Sequence, residues 1–154
     1  MIRRAAREDI PRILELLVQV DMVHHRGRPD IFNGPATKYS AEELQPILAD
    51  DKTPVFVCER DGTVAGHAFC VLEETAGSAV LRELKSLYID DICVDEAFRR
   101  QGVGKELYRH VLEYAKTLGC YHVTLNVWCC NPGALEFYES LGMKPLKIGM
   151  EQIL

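Results

Sequence analysis

Apolar positions along this chain alternate between two spacings, and the switches between them mark out its elements. Ile2 to Ala5 reads as a short first strand. Ile10, Ile13, Leu14, Leu17 and Val18 then recur at helical spacing, with Asp9 as the expected N-cap and Pro11 in the first turn. The helical pattern fades near His24, and His24 to Thr37 reads as a long loop holding two glycines and two prolines. Ser40 with Glu43 matches a capping box for a second helix, which Pro46 keeps short or bent. VFVCE after Pro54 and VAGHAFCVLE after Asp61-Gly62 form a hairpin pattern, with Gly66 as a candidate bulge and His67 packed within its strand. Glu74 to Leu84 reads either as an extension of the hairpin or as a loop bearing Glu83.

Leu87 to Val94 is the next strand, and Gly102 to about Leu118 is a helix with Val103, Leu107, Val111, Leu112 and Ala115 as its buried stripe. Gly119 ends that helix, and HVTLNVW from His122 to Trp128 follows as a strand. Asn131 or Pro132 opens a shorter helix that stops at Gly142. Met143 to Met150 then alternates as a final strand, which Pro145 places at an edge. The order is β-α-α-β-β-β-α-β-α-β, a mixed α/β (α+β) sheet flanked by helices. With no repeat or linker, residues 1–154 are expected to form one domain.

Net charge of −5 argues against nonspecific nucleic-acid binding, which needs positive surface. No apolar run approaches the roughly 18 residues of a membrane span. The start MIRRAAREDIP lacks a secretory apolar segment, so a cytoplasmic location is the expectation. The 6 cysteines show no zinc-ribbon spacing, so no metal is expected. Cys129 and Cys130 have no identifiable partnered base and do not read as nucleophiles.

The candidate chemistry lies between Tyr88 and Lys105. Gly102 and Gly104 permit close backbone approach at the entry to a long helix, whose first amide groups and dipole favour an anion. Arg99, Arg100 and Lys105 add positive charge, so the stretch reads as a phosphate site. It is not a P-loop, because Glu106 stands where the motif wants a hydroxyl residue. Asp90 and Asp91 sit unusually inside a strand, where alternation would send them to opposite faces, one to a cleft and one to a turn or solvent. The long loop has a length that binding loops often share.

Arg99-Arg100-Gln101-Gly102-Val103-Gly104 resembles the Q/R-x-x-G-x-G/A signature of the GNAT (GCN5-related N-acetyltransferase) superfamily. A second segment, Asn131-Pro-Gly-Ala134 through Phe137-Tyr138 to Gly142-Met143, resembles that family's N-x-x-A-x-x-F-Y-x-x-x-G-F, with methionine for the last phenylalanine. The resemblance implies a mostly antiparallel sheet with one splayed parallel strand pair, and acetyl-CoA as the ligand. Arg99 to Lys105 would hold its pyrophosphate, backbone groups of Ile92, Cys93 and Val94 its pantetheine arm, and Asn131 and Ala134 would line that arm. Tyr138 would protonate the departing thiolate. The resemblance also implies that the long loop helps shape the acceptor site, with His25, Arg28, Asp30 and Phe32 as candidate acceptor contacts. Asp90 and Asp91 resemble the acidic pair of polyamine and diamine acetyltransferases, in which a glutamate occupies the position of Asp90. The shorter Asp90 then needs a water bridge or a closer substrate, and Asp91 or Glu83 are the other candidate bases. Asn126 stands where ribosomal-protein acetyltransferases carry a glutamate, which lowers the expectation of that activity. The implied activity is acetyl transfer to the primary amine of a small cationic molecule. A peptide amine, or coenzyme A binding without turnover, is the alternative. Many family members form homodimers, often through C-terminal strands, so the resemblance implies a homodimer as one arrangement, and IGMEQIL is apolar enough for burial within the chain or against a partner.

Overall fold

The computed structural model describes all 154 residues. Five strands form one sheet in the order β1 (Ile2–Arg4), β2 (Val55–Arg60), β3 (Thr63–Thr75), β4 (Leu84–Val94) and β5 (His122–Leu125). The first three junctions are antiparallel and β4–β5 is parallel, so a mostly antiparallel sheet ends in one parallel pair. Helices α1 (Ile10–Gly27) and α2 (Ala41–Ala49) pack on one face, while α3 (Val103–Thr117) packs on the other, next to α4 (Pro132–Ser140).

The helical spacing read from the sequence becomes two cores. Ile13, Leu16 and Leu17 of α1 and Leu44 of α2 close over Val55, Val57, Phe69 and Cys93. On the opposite face Val103, Leu107, Val111 and Ala115 of α3 close over Ala65, Ala68, Leu87 and Ile89. Each fully buried large side chain here contributes about 1.5–3 kcal/mol over leaving it in water. Gly66 has its own reason to lack a side chain. A Cβ there would stand 2.7 Å from the Cys93 carbonyl oxygen, and the bulged residue is its neighbour Ala65.

Several expectations are corrected. Helix α1 runs on to Gly27, so His24 and His25 belong to its last turn rather than to the loop. Asp9 does not cap α1 through its side chain; it accepts from the Ala6 amide at 2.8 Å and binds Arg3 at 2.7 and 2.9 Å. Strand β4 starts earlier than Leu87, at Leu84, because Thr75 and Leu84 extend the β3–β4 ladder. The strand expected over His122–Trp128 ends at Leu125. The strand expected over Met143–Met150 does not form. Alternation favours a strand but does not make one: this segment joins no ladder, and all of it but Met143 lies exposed.

Candidate active site

β4 leads from the core into the site. Its first half pairs on both sides, with β3 throughout and with β5 from Ser86 to Ile89. Because β5 stops at Leu125, the β4 edge over residues 90–94 has no strand beside it, and the parallel pair opens into a gap there. At that boundary the β3–β4 register shifts. Phe69 faces Asp91, Cys70 faces Ile89, and Asp90 is the extra residue of a bulge.

The bulge changes what alternation predicted for the two aspartates. Ile89 belongs to the α3-side core and Cys93 to the α1-side core, so Asp91 shares the α1 face with Cys93. Asp90 reaches the same face, where its Oδ2 accepts from the Lys38 ammonium at 2.6 Å. Lys38 adjoins Tyr39, whose ring stacks on Phe69 5.8 Å away. Asp91 accepts at Oδ2 from the ring of His67, 2.8 Å from Nε2. Desolvation pulls the Lys38 pKa down, but the hydrogen bond and charge of Asp90 outweigh it and the net shift is upward.

Tyr138 is half-buried at the fold's opposite face, beside Tyr108 and Phe137. Burial pushes its phenol pKa well up, and the nearby charge of Asp91 pushes it further. The phenol therefore keeps its proton at neutral pH and is available as a donor. Asn131 caps α4, accepting from the Ala134 amide at 3.3 Å through Oδ1, which leaves its Nδ2 donors free.

The stretch expected from the sequence to hold an anion forms the loop that enters α3. After the short turn Glu96–Phe98 the chain passes Arg100 with φ +61° and Gly102 with φ +83°, left-handed conformations that aim the following amides outward. The first helix bond runs from the Glu106 N–H to the Gly102 carbonyl at 3.0 Å. The N–H groups of Val103, Gly104 and Lys105 ahead of it have no acceptor in the chain. Arg99 donates to the Val94 carbonyl at 3.4 Å and Gln101 to the Ala97 carbonyl at 3.1 Å, so both hold the loop's shape. Arg100 and Lys105 are exposed without a carboxylate partner and supply the free positive charge. Gly104 has a second use: a Cβ would stand 3.2 Å from the Phe137 ring, so glycine lets α3 approach α4.

The four loop candidates do not converge on the aspartates. His25 binds the Phe32 carbonyl through Nδ1 at 2.7 Å, and Arg28 holds Asp30 at 2.8 Å and Glu151 at 2.5 Å. Phe32 lies between the rings of His24 and Trp128, each 4.9 Å away. These contacts fold the loop onto the link between β5 and α4. The residue that reaches the aspartates from this connection is Lys38, which sequence reasoning missed because nothing in its spacing distinguishes it from a surface lysine. Glu83 is exposed at the far end of β4 and drops out as a base. Asn126 donates to the Tyr88 hydroxyl at 3.2 Å. Burial pushes the Cys70 and Cys93 thiols up to about 12, which leaves them unreactive.

The free β4 edge, the open amides of α3 and the two unpaired cations together suit a long anionic ligand. The Acetyltransferase (GNAT) family model matches residues 3–143, and the chain belongs to that family. It is 29% identical over 147 residues to an uncharacterized N-acetyltransferase of Methanocaldococcus jannaschii, covering 96% of this chain and 62% of that protein. It is also 32% identical over 99 residues to the glucosamine 6-phosphate N-acetyltransferase of Arabidopsis thaliana, covering 56% of this chain and 64% of that one. The chain thus spans somewhat less than two thirds of these relatives' lengths. A mutant of the BH1408 protein from Bacillus halodurans superposes with a TM-score of 0.96 at 29% identity, over 100% of this chain and 99% of that one. The family's cofactor, acetyl-CoA, fits the residues present. The open amides of Val103 to Lys105 with Arg100 and Lys105 suit its phosphates, and the unpaired edge from Asp90 to Val94 suits its amide-bearing arm.

Proposed function

We propose that this chain transfers acetyl from acetyl-CoA to the primary amine of a small cationic molecule. The observation that carries the reading is the bulge at Asp90, which sets two carboxylates on one face where the β4–β5 gap opens. One of the two, Asp90, already receives a primary ammonium, that of Lys38. Bound acetyl-CoA supplies an activated acetyl thioester; the remaining chemistry belongs to the protein's side chains. An amine attacks only once it has lost its proton, so the acceptor needs a carboxylate beside it, directly or through water. Asp90 attracts and orients the cation, exchanging Lys38 for it. Asp91 takes up the proton. Tyr138 donates to the departing thiolate.

Burial first and the negative charge of Asp91 second hold the Tyr138 pKa high, so the phenol enters the reaction protonated. The amino-sugar acceptor named for the Arabidopsis relative supports a small amine.

The test is titration calorimetry with acetyl-CoA, then thiol release over diamines, amino sugars and peptides. Turnover on small amines with a KM that rises with salt is the expected result. Turnover confined to peptides would overturn the acceptor reading, and acetyl-CoA binding with no turnover on any amine would overturn the enzyme reading.

A further inference from the structure

His67 is the most deeply buried polar side chain near the aspartates, and the acetyl-transfer scheme above gives it no task. Its exposure is 0%, and it lies on the α1 face of β3, opposite Cys93 in register. The ring meets Phe69 edge-on with centroids 5.0 Å apart, and the neighbouring Cys93 thiol is engaged with the Leu16 carbonyl. Its one polar contact is Nε2 to Asp91 Oδ2 at 2.8 Å, while Nδ1 is buried without a hydrogen-bond partner.

A histidine placed so deep for packing alone would be a poor choice. Burying a polar atom without a partner costs about 1–3 kcal/mol, and an aliphatic side chain would avoid that cost. The arrangement makes sense if the other nitrogen is needed. We infer that His67 is a positioning residue that fixes the Asp91 carboxylate for proton uptake, an inference resting on the reading of Asp91 as the base.

The hydrogen-bond geometry defines the tautomer. A carboxylate only accepts, so Nε2 carries the hydrogen and donates to Oδ2. Nδ1 then presents a lone pair, and a second N–H there would be buried with no acceptor. With Oδ2 engaged by a side chain that the core holds still, Oδ1 is the oxygen left for the acceptor amine or a bridging water. Asp91 keeps 15% of its side chain accessible, so it meets solvent from a fixed orientation. Asp90 differs. Its partner Lys38 comes from a loop and is 53% exposed, so that contact exchanges where the His67 contact does not. Two adjacent aspartates thereby acquire different tasks from the residues that hold them.

The experiment compares kcat, acceptor KM and acetyl-CoA affinity for His67→Leu, His67→Gln, Asp91→Asn and the double variant His67→Leu with Asp91→Asn. All are assayed on whichever amine the wild-type protein acetylates best. Loss of orientation alone should lower kcat of His67→Leu about 10- to 100-fold. Acetyl-CoA affinity by calorimetry should stay unchanged. His67→Gln, whose amide N–H falls near the Nε2 position, should recover most of the rate. The double variant should be no slower than Asp91→Asn, because His67 acts only through that carboxylate. Wild-type kcat in His67→Leu, equal losses in Leu and Gln, or losses that multiply in the double variant would each overturn the inference. Unchanged kcat in Asp91→Asn would instead overturn the base assignment beneath it. If leucine at 67 prevents folding, His67→Asn against His67→Gln gives the same comparison, since the shorter amide falls near Nδ1; equal rates there would overturn it.

Discussion

The two halves of β4 share a strand and almost nothing else. From Leu84 to Ile89 the strand has neighbours on both edges for most of its length, and Leu87 is fully buried under α3. From Asp90 to Val94 one edge is open, the register is shifted by a bulge, and two carboxylates stand on one face. The first half spends its side chains on stability. The second half exposes backbone and gathers charge, both of which a packed sheet would exclude. The transition takes one residue, Asp90, because a single insertion into a ladder is enough to reset which face each side chain takes.

If that division is real, changes in the two halves should fail in different assays. Asp91→Asn should lower kcat about 100- to 10,000-fold, the range for losing a general base, and leave the urea midpoint nearly unchanged. Leu87→Ala should do the reverse. Unfolding free energy should drop by about 2–5 kcal/mol in urea titration, while the remaining folded protein keeps its kcat. A Leu87→Ala protein that is stable but slow would break the comparison.

Smaller effects probe the ligand side of the gap. Gly102→Ala forces a Cβ into a φ of +83° and should cost about 1–2 kcal/mol in stability, with weaker acetyl-CoA binding by calorimetry. Arg100→Ala and Lys105→Ala should each weaken acetyl-CoA about two- to fivefold at low salt, with the difference fading as salt rises. Smallest and farthest from the gap is Asp9. The Arg3 hydrogen bond holds its carboxyl below the usual range, partly offset by burial. Its contribution to stability is therefore complete above the unfolded carboxylate value near pH ~3.9 and is lost as pH falls through the lower folded value. Asp9→Asn should flatten the acid side of the stability–pH curve and leave turnover at neutral pH alone.

The helices and the glycine loop were legible in the chain because their causes are local. Val103, Leu107, Val111 and Ala115 repeat at helical spacing, and Gly102 answers a backbone angle within its own turn. The capping box of Ser40 and Glu43 is likewise a three-residue relation and forms as read. What was not legible depends on two strands at once. The bulge at Asp90 is a mismatch between β3 and β4, and neither strand alone announces it. The His67–Asp91 bond joins residues 24 apart in sequence that meet only in that register. Met143 to Met150 shows the converse: its alternation is real, but it joins no strand of the sheet.

The packing of Phe32 against Trp128 makes the loop after α1 observable by light. Trp128 is the only tryptophan in the chain, 40% exposed, with its ring 4.9 Å from Phe32. Indole emission follows the polarity and quenching of its surroundings, so separation of that loop from the β5–α4 link would change its colour and intensity. Stopped-flow mixing with candidate acceptors could then time the loop's response in the unlabelled protein, separately from acetyl transfer.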